Sequence, residues 1–516
     1  MANPSWLNDT VFYEIYPQSF RDTNADGIGD LNGIIEKLDY VASLGCNGIW
    51  LNPCFESSFF DAGYDITDYM RVAPRYGTNE DLKRLFDEAH ARGIRVILDL
   101  VPGHTSIMHP WFRQSQRAKK NEYTDRYVWS DSTWTDFTGA AGVTGSIRGM
   151  FERDGCCAVN YYSIQPALNY GFARVTAPWQ QPVDAPGPMA TREAMKDIMR
   201  FWMGMGCDGF RVDMAGTLVK NDDGREATIR LWQDFRAFMD AEFPDCCLLS
   251  EWGDPSQSLR GGFDMDFLMQ VGPTHYMDLF RAEEPFFSRR GRGSVAGFIA
   301  AYRANMAATN GKGLMCIPSS NHDMTRVSEK LDAKEIRLAF AFLLSMPGAP
   351  FIYYGDEIGM RYLAGIDSVE GGFERTGSRS PMQWSAASNA GFSAAKPDDL
   401  YIMIDPDKAR PTVAAQEADP DSLLNTVRAL AKTRHQHPAL QSRGGIEFLT
   451  EGYPLVYTRA CDTEKVLVII NPAAREETCE IGVREAGEAF FSIGEKASLT
   501  DGRLTAPAES VTFFRI

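Results

Sequence analysis

Residues 78–104 read TNEDLKRLFDEAHARGIRVILDLVPGH. Thr78 is a residue type whose side-chain oxygen caps a helix N-terminus. Leu82, Leu85, Phe86 and Ala89 then recur at helical spacing and share one face. Gly93 supplies the left-handed position that closes a helix, and Val96-Ile97-Leu98-Asp99-Leu100-Val101 follows as a nearly continuous apolar run. An amphipathic helix, a closing glycine and a buried strand make up one turn of a βα alternation. Upstream, Ile34, Leu38, Val41 and Ala42 lead through Gly45 to Gly48-Ile49-Trp50-Leu51; downstream, residues 194–206 lead to Gly209-Phe210-Arg211-Val212-Asp213. Further apolar runs at residues 11–16, 248–251, 264–267, 315–318 and 350–354 bring the number of predicted strands to eight. Apolar strands alternating with helices require a parallel sheet covered on both faces, and eight such units predict an α/β fold closed as a (β/α)8 TIM barrel.

Two stretches interrupt the alternation, and both read as excursions from the carboxyl ends of strands. The expected organisation is a first barrel segment at residues 1–103, an inserted domain at 104–170 after strand 3, and a second barrel segment at 171–444. An excursion at about 355–420 follows strand 8. From residue 445 the texture changes to short β-type runs such as Leu455-Val456-Tyr457 and Val466-Leu467-Val468-Ile469-Ile470, which predict a C-terminal antiparallel β-sandwich at 445–516.

The 516 residues are 44% hydrophobic and 23% charged, a globular composition. A net charge of −17 disfavours nucleic acid and anionic membranes as partners. No stretch reaches the roughly 18 apolar residues of a membrane span, and the N-terminus lacks a signal-peptide pattern, so a cytoplasmic protein is expected. Ten cysteines without CxxC spacing suit reduced thiols, and seven histidines without ligand clustering disfavour zinc. No organic cofactor is expected, and oligomeric state has no signature here.

In a parallel barrel, function gathers where strands end. Tyr16, Asp99, His104, Arg211, Asp213, Glu251, His322 and Asp323 terminate or follow the apolar runs. Three acids from different strands of one rim, Asp213, Glu251 and Asp323, suit glycoside hydrolysis, in which two carboxylates flank the scissile bond. The words around them are GFRVD (209–213), SEW (250–252), SNHD (320–323) and DLVPGH (99–104). They resemble the core regions of the α-amylase family of glycoside hydrolases (family 13). VFYEIYPQSF, GYDI, QPALN and SPMQW extend the resemblance along the chain, most closely to the branch of oligo-1,6-glucosidases, α-glucosidases, trehalose synthases and sucrose isomerases.

The resemblance implies Asp213 as nucleophile, Glu251 as general acid/base and Asp323 as transition-state stabiliser. It implies Tyr64, His104, Arg211 and His322 as sugar-site residues, with Tyr161 and Gln165 lining the pocket. Asp61 and Arg379 match the pair that closes the non-reducing end in exo-acting members. A separate run, DTNADGIGD, sets Asp22, Asn24, Asp26, Ile28 and Asp30 at near-alternating positions, an oxygen-rich spacing suited to calcium. Related glucosidases carry this loop with structural calcium, or sometimes magnesium.

Three departures matter. Gly103 stands where the family commonly has Asn, Ala167 where it has Asp, and Met214 follows the nucleophile where neither the usual Val nor a smaller residue is found. Residues 214–216 also lack the Lys-His pair of starch-cleaving endo-amylases. The expectation is a retaining, exo-acting α-glucosidase on short α-glucosides. The alternative is a transglucosidase or isomerase of the trehalose synthase or sucrose isomerase type.

Overall fold

A computed structural model describes residues 4–137 and 139–516. Eight parallel strands form the central sheet: β1 (Phe12–Ile15), β2 (Gly48–Leu51), β3 (Arg95–Leu100), β4 (Gly209–Val212), β5 (Cys247–Ser250), β6 (Met265–Phe267), β7 (Leu314–Cys316) and β8 (Phe351–Tyr353). Each pairs with its neighbour in sequence from β1 to β7, and β8 returns to β1 with Phe12 opposite Phe351. The seam between β7 and β8 closes just beyond the regular ladder. There Phe351 N–H donates to the Ile317 carbonyl at 3.3 Å, and Ser319 N–H donates to the Phe351 carbonyl at 2.9 Å. The predicted barrel and its eight strands are therefore present.

Aromatic side chains fill part of the interior. Phe12 and Phe351 stack with centroids 4.4 Å apart, Phe267 lies 4.8 Å from Phe351, and Trp50 lies 5.5 Å from Phe267. The helix Asn79–Ala91 starts with a reciprocal capping box between Thr78 and Asp81 and buries Leu82, Leu85, Phe86 and Ala89. β4 begins at Gly209 with φ +144°, and a Cβ there would lie 2.1 Å from the Cys247 carbonyl oxygen, so glycine is what lets β4 and β5 approach.

Three excursions leave the carboxyl rim. A hairpin of Phe55–Ser57 and Ile66–Val72 follows β2 and carries Asp61 and Tyr64 in its loop. It was not among the predicted elements. The segment after β3 contains a second hairpin, Gly145–Ile147 with Cys157–Val159, and its own small core of Val128, Phe137, Cys156, Ala158, Ala167 and Phe172. The excursion after β8 is built largely from short 3-10 turns, among them Phe373–Arg379.

Beyond the barrel, a five-stranded antiparallel sheet and a three-stranded one face each other, as predicted. Val456, Leu467 and Ile469 of the first meet Ile481 and Leu504 at the second. All ten cysteines are free. Among the described residues, no helix is long and apolar enough to cross a membrane.

Candidate active site

The register of β3, β4 and β5 sets Asp99 opposite Arg211 and Arg211 opposite Leu249, so that Glu251 emerges beside the arginine. The Arg211 guanidinium is buried and serves three carboxylates. Its Nη1 donates to Asp99 Oδ1 at 2.6 Å and to Asp213 Oδ1 at 3.1 Å, and its Nη2 lies 2.8 Å from Glu251 Oε2. Burial, then the neighbouring Glu251 charge, pushes the Asp213 carboxyl well above the usual carboxylate range against the pull of Arg211. Met214 turns left-handed, φ 44°, and its N–H donates to Glu251 Oε2 at 3.1 Å, which fixes that carboxylate from the β4 side.

The opposite wall has the reverse balance. Asp323 Oδ1 accepts from Arg375 Nη1 at 2.8 Å and from Arg379 Nη2 at 3.1 Å, while its Oδ2 lies 3.1 Å from His322 Nε2. Burial opposes ionisation of Asp323, but His322 and the two arginines outweigh it and hold the carboxyl well below its ordinary range. Burial also works against a charge on His322, yet Asp323 and Glu14 raise its pKa to about 9. Glu14, buried inside β1, meets His322 Nδ1 through its Oε1 at 2.9 Å. The Tyr64 ring stacks on His322 with centroids 5.2 Å apart, and its hydroxyl reaches Asp99 Oδ2 at 3.2 Å and His322 Nε2 at 2.5 Å.

His104 completes the lining. Its Nε2 lies 3.0 Å from the Tyr64 carbonyl, which can only accept, so Nε2 carries the proton and Nδ1 accepts from Asn160 Nδ2 at 3.1 Å. Burial lowers the His104 pKa to about 4, so the ring is neutral. Asn160 also accounts for Gly103: a Cβ at 103 would lie 2.5 Å from Asn160 Nδ2, so the amide occupies the space a side chain there would need.

These groups surround a cavity of about 610 Å³, within the size range of small-molecule sites. Asp61, Tyr64, His104, Tyr161, Gln165, Asp213, Glu251 and Asp323 line it, whereas Arg211, His322 and Arg379 stand behind that surface and pair with its acids. One pairing needs correction. Asp61 makes its ion pair with Arg375, 3.3 Å away, and accepts from Gln165 Nε2 at 2.7 Å, while Arg379 binds Asp323 and donates through Nε to the His322 carbonyl at 2.9 Å. Arg375 reaches the cavity because it lies one turn earlier in the same 3-10 segment. Burial raises Asp61 to about 6 despite Arg375 and Arg379. Tyr161 sits at the mouth and is 54% exposed; its neighbour Tyr162 places its hydroxyl 3.3 Å from Arg375.

The loop at residues 22–30 lies apart from this cavity. Asp22 accepts from the N–H groups of Asn24, Ala25 and Gly27 and from the Ser393 hydroxyl, and Asp30 caps the helix Leu31–Glu36. Asn24 Oδ1 and Asp26 Oδ1 accept from backbone N–H groups two residues on. The donor set is wholly oxygen, the chemistry a hard cation takes, and in this arrangement the Asp22 carboxylate is engaged by three backbone N–H groups and the Ser393 hydroxyl. Among the described residues, no three acidic, histidine or cysteine side chains converge on one point as they stand.

A barrel whose rim holds three such carboxylates around one cavity is a glycosidase architecture. Comparison with known families agrees: "Alpha amylase, catalytic domain" matches residues 14–443. The chain belongs to the α-amylase family of glycoside hydrolases and is an enzyme acting on glycosidic bonds. It is 34% identical to the trehalose synthase/amylase TreS of Mycobacterium tuberculosis over 94% of this chain and 85% of that one. It is 31% identical to an oligo-1,6-glucosidase of Heyndrickxia coagulans over 90% and 92% of the two chains. The crystal structure of the trehalulose synthase MutB from Pseudomonas mesoacidophila superposes with a TM-score of 0.83 at 26% identity, covering all of both chains. The relatives thus include glucosidases and synthases alike.

Proposed function

We propose that this protein is a retaining, exo-acting α-glucosidase that removes single glucose units from disaccharides or short oligosaccharides. Glu251 donates its proton to the glycosidic oxygen as the bond to the anomeric carbon breaks. Asp213 attacks that carbon from the opposite face and forms a glucosyl ester. Water then enters, Glu251 accepts its proton, and the ester opens to α-glucose. Arg211 holds both acids throughout, so each charge appears beside a fixed cation. Asp323, kept ionised by His322, Arg375 and Arg379, stabilises positive charge on the sugar ring. The observation that carries this reading is the convergence of Asp213, Glu251 and Asp323 on a cavity to which Asp61 and Arg375 contribute an ion pair beside Asp323.

The test is to follow anomeric protons by NMR from the first minutes with maltose, isomaltose, trehalose and sucrose in turn. α-Glucose appearing first supports a retaining hydrolase and names its linkage. A new disaccharide with little free glucose would replace it with an isomerase or transglucosidase, the alternative that the synthase relatives favour. We further propose that the 22–30 loop takes calcium, or magnesium, through Asp22, Asn24, Asp26, the Ile28 carbonyl and Asp30. A structural ion there should raise the melting temperature on addition of calcium and lower it with a chelator; no shift in either direction would leave the loop to its own hydrogen bonds.

A further inference from the structure

The cavity has a second end. Away from Asp61 and Arg375 it runs along the loops after β5 and β6, past Trp252, Gln257 and Gln270. These loops are clamped together by two glycines with positive φ: a Cβ on Gly253 would lie 2.8 Å from the Val271 carbonyl oxygen, and one on Gly272 would lie 2.5 Å from that of Gly253. Trp252 directly follows Glu251, and its backbone N–H donates to Asp266 Oδ1 at 3.2 Å. Its indole Nε1 donates to Gln257 Oε1 at 3.2 Å, which sets the ring's orientation. Against the indole lies Gly216, where a Cβ would come within 3.0 Å of both Cε2 and Nε1. The ring therefore rests on bare backbone in the wall of the cavity, one residue from the group that protonates the leaving oxygen.

We infer that Trp252, seated on Gly216, is the platform for the leaving sugar and selects substrates whose leaving group is itself a sugar ring. The inference rests on the α-glucosidase reading above. A pyranose presents a face of C–H bonds that packs on an aromatic ring, and its hydroxyls find donors and acceptors in Gln257 and Gln270 at the same end of the cavity. Once Glu251 has protonated the glycosidic oxygen and the bond to glucose has broken, the departing sugar carries that oxygen away as a hydroxyl, still stacked beside the acid. The longer it stays, the more often it competes with water for the glucosyl ester.

The experiment compares a disaccharide that the protein cleaves with α-glucosyl fluoride, whose leaving group is a single atom and needs no platform. In Trp252→Ala, kcat/KM for the disaccharide should fall about tenfold or more beyond any fall for the fluoride, by loss of binding to the leaving group. Gly216→Ala, which displaces the ring without removing it, should shift the same ratio in the same direction by a few-fold, and guards against a folding defect in the larger truncation. Equal losses on both substrates in both variants would make Trp252 a structural support of Glu251 and overturn the inference, as would no loss in either. An unaltered protein that turned over neither substrate would overturn the glucosidase reading, and this inference with it.

Discussion

The two walls of the cavity carry the same kind of acid under opposite electrostatics. On the β4–β5 side one arginine, Arg211, serves Asp99, Asp213 and Glu251. On the other side His322, Arg375 and Arg379 all converge on Asp323, and Arg375 also serves Asp61. Burial and the nearby Glu251 charge push the Asp213 carboxyl above its ordinary range against the pull of Arg211, whereas His322, Arg375 and Arg379 outweigh burial and hold Asp323 below its own. The first arrangement suits groups that must gain and lose protons or bonds, and the second suits a group that must only stay negative. Identity of side chain says nothing about this division; the count of neighbouring charges decides it.

The sharpest break of the comparison is Asp213→Asn, which removes the proposed nucleophile and leaves the shape. Turnover should fall by about 10⁴-fold or more, with the melting temperature little changed; a variant that kept a tenth of its activity would end the assignment. Next comes Arg375→Ala. It deprives Asp323 of one of three cations and Asp61 of its ion pair, so kcat/KM on a disaccharide should drop roughly 100-fold, as for loss of a charged substrate-binding contact. Unchanged kinetics would show that the cation surplus on that wall is incidental.

The smallest effect concerns stability. His322 titrates near 9 when folded and near its ordinary 6.5 when unfolded, so its contribution is fully present below about pH 6.5 and is lost as pH rises through 9. The shift corresponds to about 3 kcal/mol at most. Denaturant midpoints measured at pH 6 and pH 9.5 should fall in the native protein and fall less in His322→Asn. Identical slopes would place the titration elsewhere.

The barrel was legible because each of its strands is an apolar run bounded by a turn residue, and because the three acids stand where such runs stop. The hairpin after β2 was not, since Phe55–Ser57 is only three residues long and pairs through two irregularities. Glu14 left a signal that went unused: a lone carboxylate within FYEI, four buried residues, requires a buried partner. Arg375 left none. Two arginines four residues apart precede SPMQW, and which of them meets Asp61, 314 positions away, is settled only by how the 3-10 segment turns. The same holds for Trp252, whose role depends on Gly216 from another strand's loop.

The β7–β8 seam gives the site a place in the order of folding. Glu14 and His322 are 308 residues apart, and the arginines on Asp323 come from the excursion that follows β8. Such contacts carry a large loop-closure cost, so we expect them to form late in refolding. Secondary structure and most of the hydrophobic core can therefore return during refolding before any activity does. Recovery of turnover then times the joining of the two ends of the barrel, and the enzyme serves as its own reporter of closure.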